Sequence, residues 1–258
     1  MKRLSVTIIT LNEEINIGRC LASVADVADE VVVIDSFSTD RTEEICLSYG
    51  AKFERNPFAG YIEQKQYALS RCSHDFVLSL DADEALSPGL KAAVLHEKSL
   101  GFPAELYSMN RLTNYCGQWI HHCGWYPDRK LRLFNRTQAR WGGQNPHDKV
   151  VPADSKNPVK QLKGDLLHYS YYTIEQHRRQ ADKFATIAAK ELVQKGKRYS
   201  YPFAAMKMIA KFLRNYLFKL GFLDGRAGFV ICRMSALETW WKYSRVIELS
   251  KTDHAQPK

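Results

Sequence analysis

Asp81 and Asp83 flank a single alanine at the end of the apolar run Phe76-Val77-Leu78-Ser79-Leu80. In extended backbone, residues i and i+2 project to the same side, so two carboxylates at this spacing can converge on one cation. Oxygen ligands of this kind suit Mg²⁺ or Mn²⁺, which keep positions open for water and substrate phosphate. Asp is also common where a strand ends in a turn. The pair alone therefore leaves metal ligation and turn formation both open.

The neighbouring elements must hold that pair in place. Residues 4–10 form a β-branched apolar run, and 31–34 form a second with no polar alternation, as in a strand covered on both faces. Residues 51–54 predict a short third strand and 76–80 the fourth. Helical spacing separates them. One helix opens at Asn12-Glu13-Glu14, one follows the cap Ser38-Thr39-Asp40, one spans 63–70, and a further one runs from Pro88 to about Lys98. This alternation predicts an α/β fold, a parallel sheet with crossover helices. Ligands of such sheets sit beyond the carboxyl ends of the strands, where Thr10, Asp35 and Asp81 all fall. Residues 105–170 change character. Short apolar segments at 106–111, 130–135, 159–163 and 166–169 alternate with Gly, Asn, Pro and aromatics, and predict strands and loops. Helical spacing resumes at Ile174 and lasts to about Val246, and 251–258 read as a disordered tail.

With 258 residues, 45% of them hydrophobic, the chain can bury the core of one large domain or of a domain with an appendage. Its net charge of +9 suits an anionic partner, whether nucleic acid, anionic membrane or phosphorylated ligand, without choosing among them. The six cysteines are scattered without a compact disulfide spacing, and the apolar run after Met1-Lys2-Arg3 is too short for a signal peptide. The expectation is a reduced, cytoplasmic protein. No stretch approaches the roughly 18 apolar residues that span a bilayer. Cys116, His121, His122 and Cys123 have the ligand types of a zinc site, but their spacing matches no common structural zinc loop. With Trp119, Trp125 and Tyr126 nearby, this segment reads instead as an aromatic-rich loop suited to stacking on a ligand.

Three segments together resemble the signature of family 2 glycosyltransferases with the GT-A fold. They are Val6-Thr7-Ile8-Ile9-Thr10-Leu11-Asn12-Glu13-Glu14, Val33-Ile34-Asp35-Ser36-Phe37-Ser38-Thr39-Asp40, and Leu80-Asp81-Ala82-Asp83-Glu84. Residues 126–134 with His147-Asp148 are similar to the branch that builds lipopolysaccharide cores. The resemblance implies a GT-A nucleotide-sugar domain over 1–170, with a donor half to about residue 100 and an acceptor half after it. A helical region follows over 171–250. It implies that Asp35, Thr10, Asn12 and Glu13 line the nucleotide base, with helix capping the other reading of Asp35. Asp83 would bind the metal, Asp81 would share it or meet the sugar, and His168 would complete the metal or diphosphate site, a core histidine being its alternative. Lys65 and Arg132 would approach the phosphates, against a solvated lysine and a surface ion pair. Asp148, where the family more often has Glu, would be the general base of an inverting transfer, with His147 beside it. Turn formation is the other reading of Asn145-Pro146-His147-Asp148.

The last third interleaves Met206, Ile209, Phe212, Leu213 and Leu217 with Lys207, Lys211, Arg214 and Lys219. Basic, aromatic-rich amphipathic helices lie in membrane interfaces, so this region is expected to face an anionic membrane or to pack as a lid. The combined expectation is a hexosyltransferase that uses Mg²⁺ or Mn²⁺ and a UDP-hexose donor. It would act on a glycolipid or oligosaccharide acceptor, peripheral on the cytoplasmic face of the inner membrane, without a nucleic-acid partner. A polyprenyl-phosphate, capsule or O-antigen acceptor on the same scaffold is the alternative. A non-catalytic nucleotide-sugar binding module would leave Asp81-Ala82-Asp83 without a purpose.

Overall fold

The computed structural model describes residues 2–145 and 147–252, the side chains of His147 and Thr252 excepted. The chain divides into two compact units, one of residues 1–112 and 128–169, the other of residues 113–127 and 170–258.

The first unit opens with β1 (Leu4–Thr10), α1 (Ile17–Val24), β2 (Glu30–Asp35), α2 (Thr42–Ser48), β3 (Lys52–Arg55), α3 (Tyr61–Ser70) and β4 (Phe76–Asp81). It continues through β5 (Glu84–Leu86), α4 (Pro88–Ser99) and β6 (Leu106–Tyr115). The hairpin of β7 (Gln118–Ile120) with the end of β6 belongs to the second unit; β8 (Asp128–Asn135), β9 (Ala139–Gln144), β10 (His147–Pro152) and most of β11 (Val159–Tyr171) return to the first. The main sheet has the order β3-β2-β1-β4-β8-β6-β11-β5. β3, β2, β1 and β4 are parallel, which is the alternation expected from the sequence. Beyond β4 the pairing turns antiparallel, at β8 on β4, β6 on β8 and β5 on β11.

Val6, Ile8, Val33, Leu78 and Leu80 are fully buried, because crossover helices and loops cover both faces of these strands. α4 starts cleanly because Ser87 accepts from the Leu90 amide and Pro88 fills the first turn. Gly164 (φ +89°) lets β11 pass this helix start, since a Cβ there would fall 2.2 Å from the Leu90 nitrogen.

Register places the polar strand ends together. Thr10 lies opposite Asp35 and Ile9 opposite Asp81, so three parallel strands finish at one edge. The helix expected from Asn12 begins only at Ile17, because Asn12 takes a positive φ and residues 13–16 form a turn. The segments at 159–163 and 166–169 are one continuous strand, β11. His147 and Asp148, part of the segment 145–148 that the sequence offered as a turn, open strand β10, which pairs with β9.

The second unit holds α5 (Ile174–Gln194), α6 (Tyr201–Leu213), a π-helical turn Arg214–Phe218, a 3₁₀ turn Gly221–Asp224, and α7 (Gly225–Thr252). A capping box of Thr173 and Gln176 opens α5. Arg245 of α7 ties to α5 through the Asp182 carbonyl at 2.8 Å. Buried Asp224 accepts from the amides of His121 and His122 and meets the His122 imidazole at 2.9 Å, so these residues anchor a loop and do not gather a metal. Residues 253–258 of the expected tail lie outside the described residues.

Candidate functional site

The strand-end edge of the first unit collects four carboxylates and two buried cations. Asp81 is the last residue of β4, and the chain turns at Ala82-Asp83 before β5 starts at Glu84. The two aspartates are therefore not held by one extended strand, as their spacing suggested, but stand on either side of a turn.

Asp81 is engaged on both oxygens. Lys65 Nζ lies 2.8 Å from Oδ1, and Arg132 Nη2 lies 2.8 Å from Oδ2. Burial alone would raise its pKa, but Lys65 and Arg132 overcome that and hold it far below the usual carboxylate range. Arg132 also donates to Glu84 Oε1 at 2.9 Å, while the other Glu84 oxygen accepts the Asp81 amide at 3.0 Å. Arg132 is buried, and its Nε and Nη1 find no hydrogen-bond partner among the described residues.

Lys65 ties the two sides of the site together. The same Nζ that meets Asp81 also lies 2.8 Å from Asp148 Oδ2, and the ring of Trp141 lies 4.5 Å beneath it. The lysine projects from α3, which is fixed against the β9–β10 hairpin. Asn145 accepts from the Ile62 amide and donates to Glu63, and Gln66 accepts from the Trp141 amide. These bonds bring Asp148, remote in sequence, across from the β4 end. At 2% exposure Lys65 is no solvated helix residue, and Arg132 at 4% is no surface ion pair.

Asp83 sits apart from this bridge. Its Oδ2 lies 3.2 Å from His168 Nε2, and its carbonyl accepts from the Tyr169 amide, which fixes β11 beside the turn. No group of three or more His, Cys, Asp and Glu among the described residues could hold a metal ion by itself. The donor set still fits Mg²⁺ or Mn²⁺ completed by a substrate phosphate. Ligands adjacent in an octahedron of roughly 2.1 Å bonds stand about 3 Å apart, close to the Asp83–His168 separation. Asp81 is engaged by Lys65 and Arg132, so Asp83 with His168 beside it is the pair that could meet such an ion.

The nucleotide-side residues form a loop lattice. Asp35, fully buried, accepts from the Ser38 amide at 2.8 Å and from its hydroxyl at 2.5 Å, which fixes the loop after β2; α2 starts only at Thr42, so these bonds cap no helix. Asn12 accepts from the Thr39 amide and the Asn12 amide donates to Ser38, while the Glu13 amide donates to Thr42. Burial raises the Glu13 carboxyl pKa, with Asp83 and Asp81 adding to it. Thr10 is buried, and its hydroxyl has no partner among the described residues. Asp40 caps α2 by accepting from the Thr42 amide and hydroxyl. His147 opens β10, but its side chain lies outside the described ones.

A cavity of about 390 Å³ opens on the inner site, lined by Lys65, Asp81, Arg132, Trp141 and Asp148 and continuing past Arg111, Arg129, Lys130 and Lys149. Burial raises the Tyr61 hydroxyl pKa, helped by Asp81, Asp148 and Asp83, so this residue stands near all three carboxylates. Tyr61, Glu84, Arg111 and Trp141 were not singled out from sequence. Glu84 carried a signal, a charge opening a three-residue strand whose other members are apolar.

The profile of Glycosyl transferase family 2 matches residues 5–150, more than half of the chain. The chain belongs to that family. Among relatives of this family 2 chain, the uncharacterized glycosyltransferase RT0209 of Rickettsia typhi is 34% identical over 97% of this chain and 88% of its own length. The lipopolysaccharide core biosynthesis glycosyltransferase LpsC of Rhizobium meliloti is 29% identical, with 93% of each chain covered. Glucosyl-3-phosphoglycerate synthase from Mycobacterium tuberculosis, solved with Mn²⁺, uridine diphosphate and glucosyl-3-phosphoglycerate, overlaps in part. It is 26% identical over 42% of this chain and 43% of its own, with a TM-score of 0.37. For a family 2 glycosyltransferase the α/β sheet with its strand-end carboxylates is the GT-A arrangement expected from the sequence.

Proposed function

We propose that this glycosyltransferase moves a hexose from a UDP donor to a hydroxyl of a lipopolysaccharide core or other glycolipid, with inversion at the anomeric carbon. The observation that carries the proposal is the Asp81–Lys65–Asp148 bridge, which sets a strand-end carboxylate and a β10 carboxylate across one cavity. A single displacement needs that division, with the leaving group released on one side and the acceptor proton taken on the other.

Asp148 is the residue placed to take the acceptor proton as the hydroxyl oxygen bonds to the anomeric carbon and the bond to the diphosphate breaks. Lys65, itself over the Trp141 ring, holds its carboxylate in position. Asp83 and His168 would hold a divalent cation, which when bound neutralises charge on the departing nucleoside diphosphate. Asp81, fixed by Lys65 and Arg132, offers its carboxylate to the sugar or ribose. Thr10, Asn12, Glu13 and Asp35 form the loop lattice against which the base would rest. The name of the LpsC relative supports the choice of acceptor.

The second unit supports a peripheral membrane location at the inner membrane's cytoplasmic face. Met206, Ile209, Leu213 and Leu217 are exposed on α6 and the turn after it, and Phe218 is 81% exposed, with Lys207, Arg214 and Lys219 interleaved. No helix among the described residues is long and apolar enough to cross a membrane.

The test is the product. Purified enzyme, UDP-glucose, Mn²⁺ and a core-oligosaccharide acceptor should give a β-linked glucoside by NMR. An α-linked product would overturn inversion, and transfer confined to non-glycolipid acceptors would overturn the acceptor assignment.

A further inference from the structure

The cavity beside Asp148 changes its charge from inside to outside. At its inner end both cations, Lys65 and Arg132, are spent on the carboxylates of Asp81, Glu84 and Asp148. Its outer wall differs. Arg111, Arg129, Lys130 and Lys149 line that part. Asp128 is the carboxylate among them, 2.8 Å from Arg111 and 3.1 Å from Lys130. Arg111 also approaches Glu84 at 3.6 Å. Arg129 and Lys149 pair with no carboxylate among the described residues.

Structural need does not explain this wall. The buried carboxylates of the site are met by Lys65, Arg132 and Arg111, and Asp128 is shared by Arg111 and Lys130, so Arg129 and Lys149 are left over as positive charge on this wall. Nor does the leaving group explain it. In a displacement reaction the diphosphate departs on the side away from the incoming hydroxyl. The pair suited to a diphosphate-bound cation, Asp83 and His168, is not part of the cavity lining, whereas Asp148 is. Cations beside the proton acceptor also oppose its taking up a proton, a cost that needs a compensating role.

We infer that the outer wall of this cavity is a subsite for an anionic group on the acceptor, a phosphate monoester or a sugar-acid carboxylate, close to the hydroxyl that is glycosylated. The inference rests on the glycosyl-transfer reading and deepens it by naming the acceptor's charge. The anion lies against Arg129, Lys130 and Lys149 and aligns the hydroxyl on Asp148. Arg111 is held by Asp128, so Arg129 is the planar donor suited to a bidentate grip on either anion.

Binding of three probes, glucose 6-phosphate, glucuronate and glucose, tests this by calorimetry on the full chain in saturating UDP and Mn²⁺. Glucose 6-phosphate or glucuronate is expected to bind at least tenfold more tightly than glucose, and which one does so identifies the anion. The preference should weaken at least fivefold in Arg129→Gln/Lys130→Gln and fall as salt rises from 50 to 300 mM in the native chain. The salt series needs no variant, so a misfolded double substitution does not decide the matter. Equal binding of charged and neutral sugars, or a preference untouched by the double substitution in a folded variant, would overturn the subsite. Displacement of glucose 6-phosphate by UDP would assign the wall to the diphosphate and overturn it as well. Failure of UDP itself to bind, with the sugar-phosphate preference intact, would count against the glycosyl-transfer reading and not against the anion site.

Discussion

Replacing Lys65 by methionine removes the charge that joins the two sides of the site while keeping side-chain length. The Nζ is 2.8 Å from both Asp81 and Asp148, with a side chain only 3% exposed. At an effective dielectric of about 20, each contact carries roughly 6 kcal/mol of raw attraction, most of it offset by the cost of burying the charges. Removing one partner of a buried pair costs about 3–5 kcal/mol net. Asp81 keeps Arg132, so the loss belongs at the lower end, about 3 kcal/mol, or a fall of roughly 6–12 °C in Tm for a chain of this size. The pH dependence is a second check. The native Asp81 carboxyl is held below its ordinary range, so its contribution is fully present above about pH 4 and is lost as pH falls further. Urea unfolding at pH 7 and pH 3.5 should show a gap between native and variant chains that is full at pH 7 and narrower at pH 3.5. A loss under about 1 kcal/mol, or a gap equal at both pH values, would refute the bridge as the element that holds the site.

Three further outcomes are expected. Asp148→Asn should bind UDP as the native chain does while kcat falls by about 10²–10⁴, measured by nucleotide release with acceptor present. His177 lies buried among Tyr115, Trp125 and Tyr171, and burial pushes its pKa down to about 4. The unfolded imidazole takes its proton near pH 6.5, so stability should drop by on the order of 3 kcal/mol as pH falls from 6.5 to 4, a slope that His177→Gln flattens in urea titrations. On anionic vesicles of phosphatidylglycerol, Phe218→Ser should float measurably less than the native chain at unchanged Tm, because this ring is 81% exposed and packs little in the fold. Salt should weaken binding further, at about 1 kcal/mol per basic residue near the surface.

The donor half was legible because its strands repeat one pattern, an apolar run ending in a polar residue. That pattern places Thr10, Asp35 and Asp81 at one edge whatever the rest of the chain does. The antiparallel half was harder to read. Residues 145–148 read as a turn, yet β10 already starts at His147, and β5 has three residues, too few for periodicity. Ion pairing was hidden most thoroughly. Lys65 and Asp148 are 83 positions apart and Arg132 and Asp81 are 51 apart. Sequence named each as a chemical group, but only the packing of α3 on the hairpin shows that they neutralise one another. Of the three residues the resemblance gave to the metal, Asp81 is paired with Lys65 and Arg132, whereas Asp83 lies beside His168.

Calorimetric titration of UDP-hexose into the native chain and into Asp83→Ala, with and without Mn²⁺, tests the central claim most directly. The account predicts binding that requires Mn²⁺ and is lost in Asp83→Ala. Binding that persists without the metal or in the variant, or the absence of nucleotide-sugar binding under every condition, would contradict it.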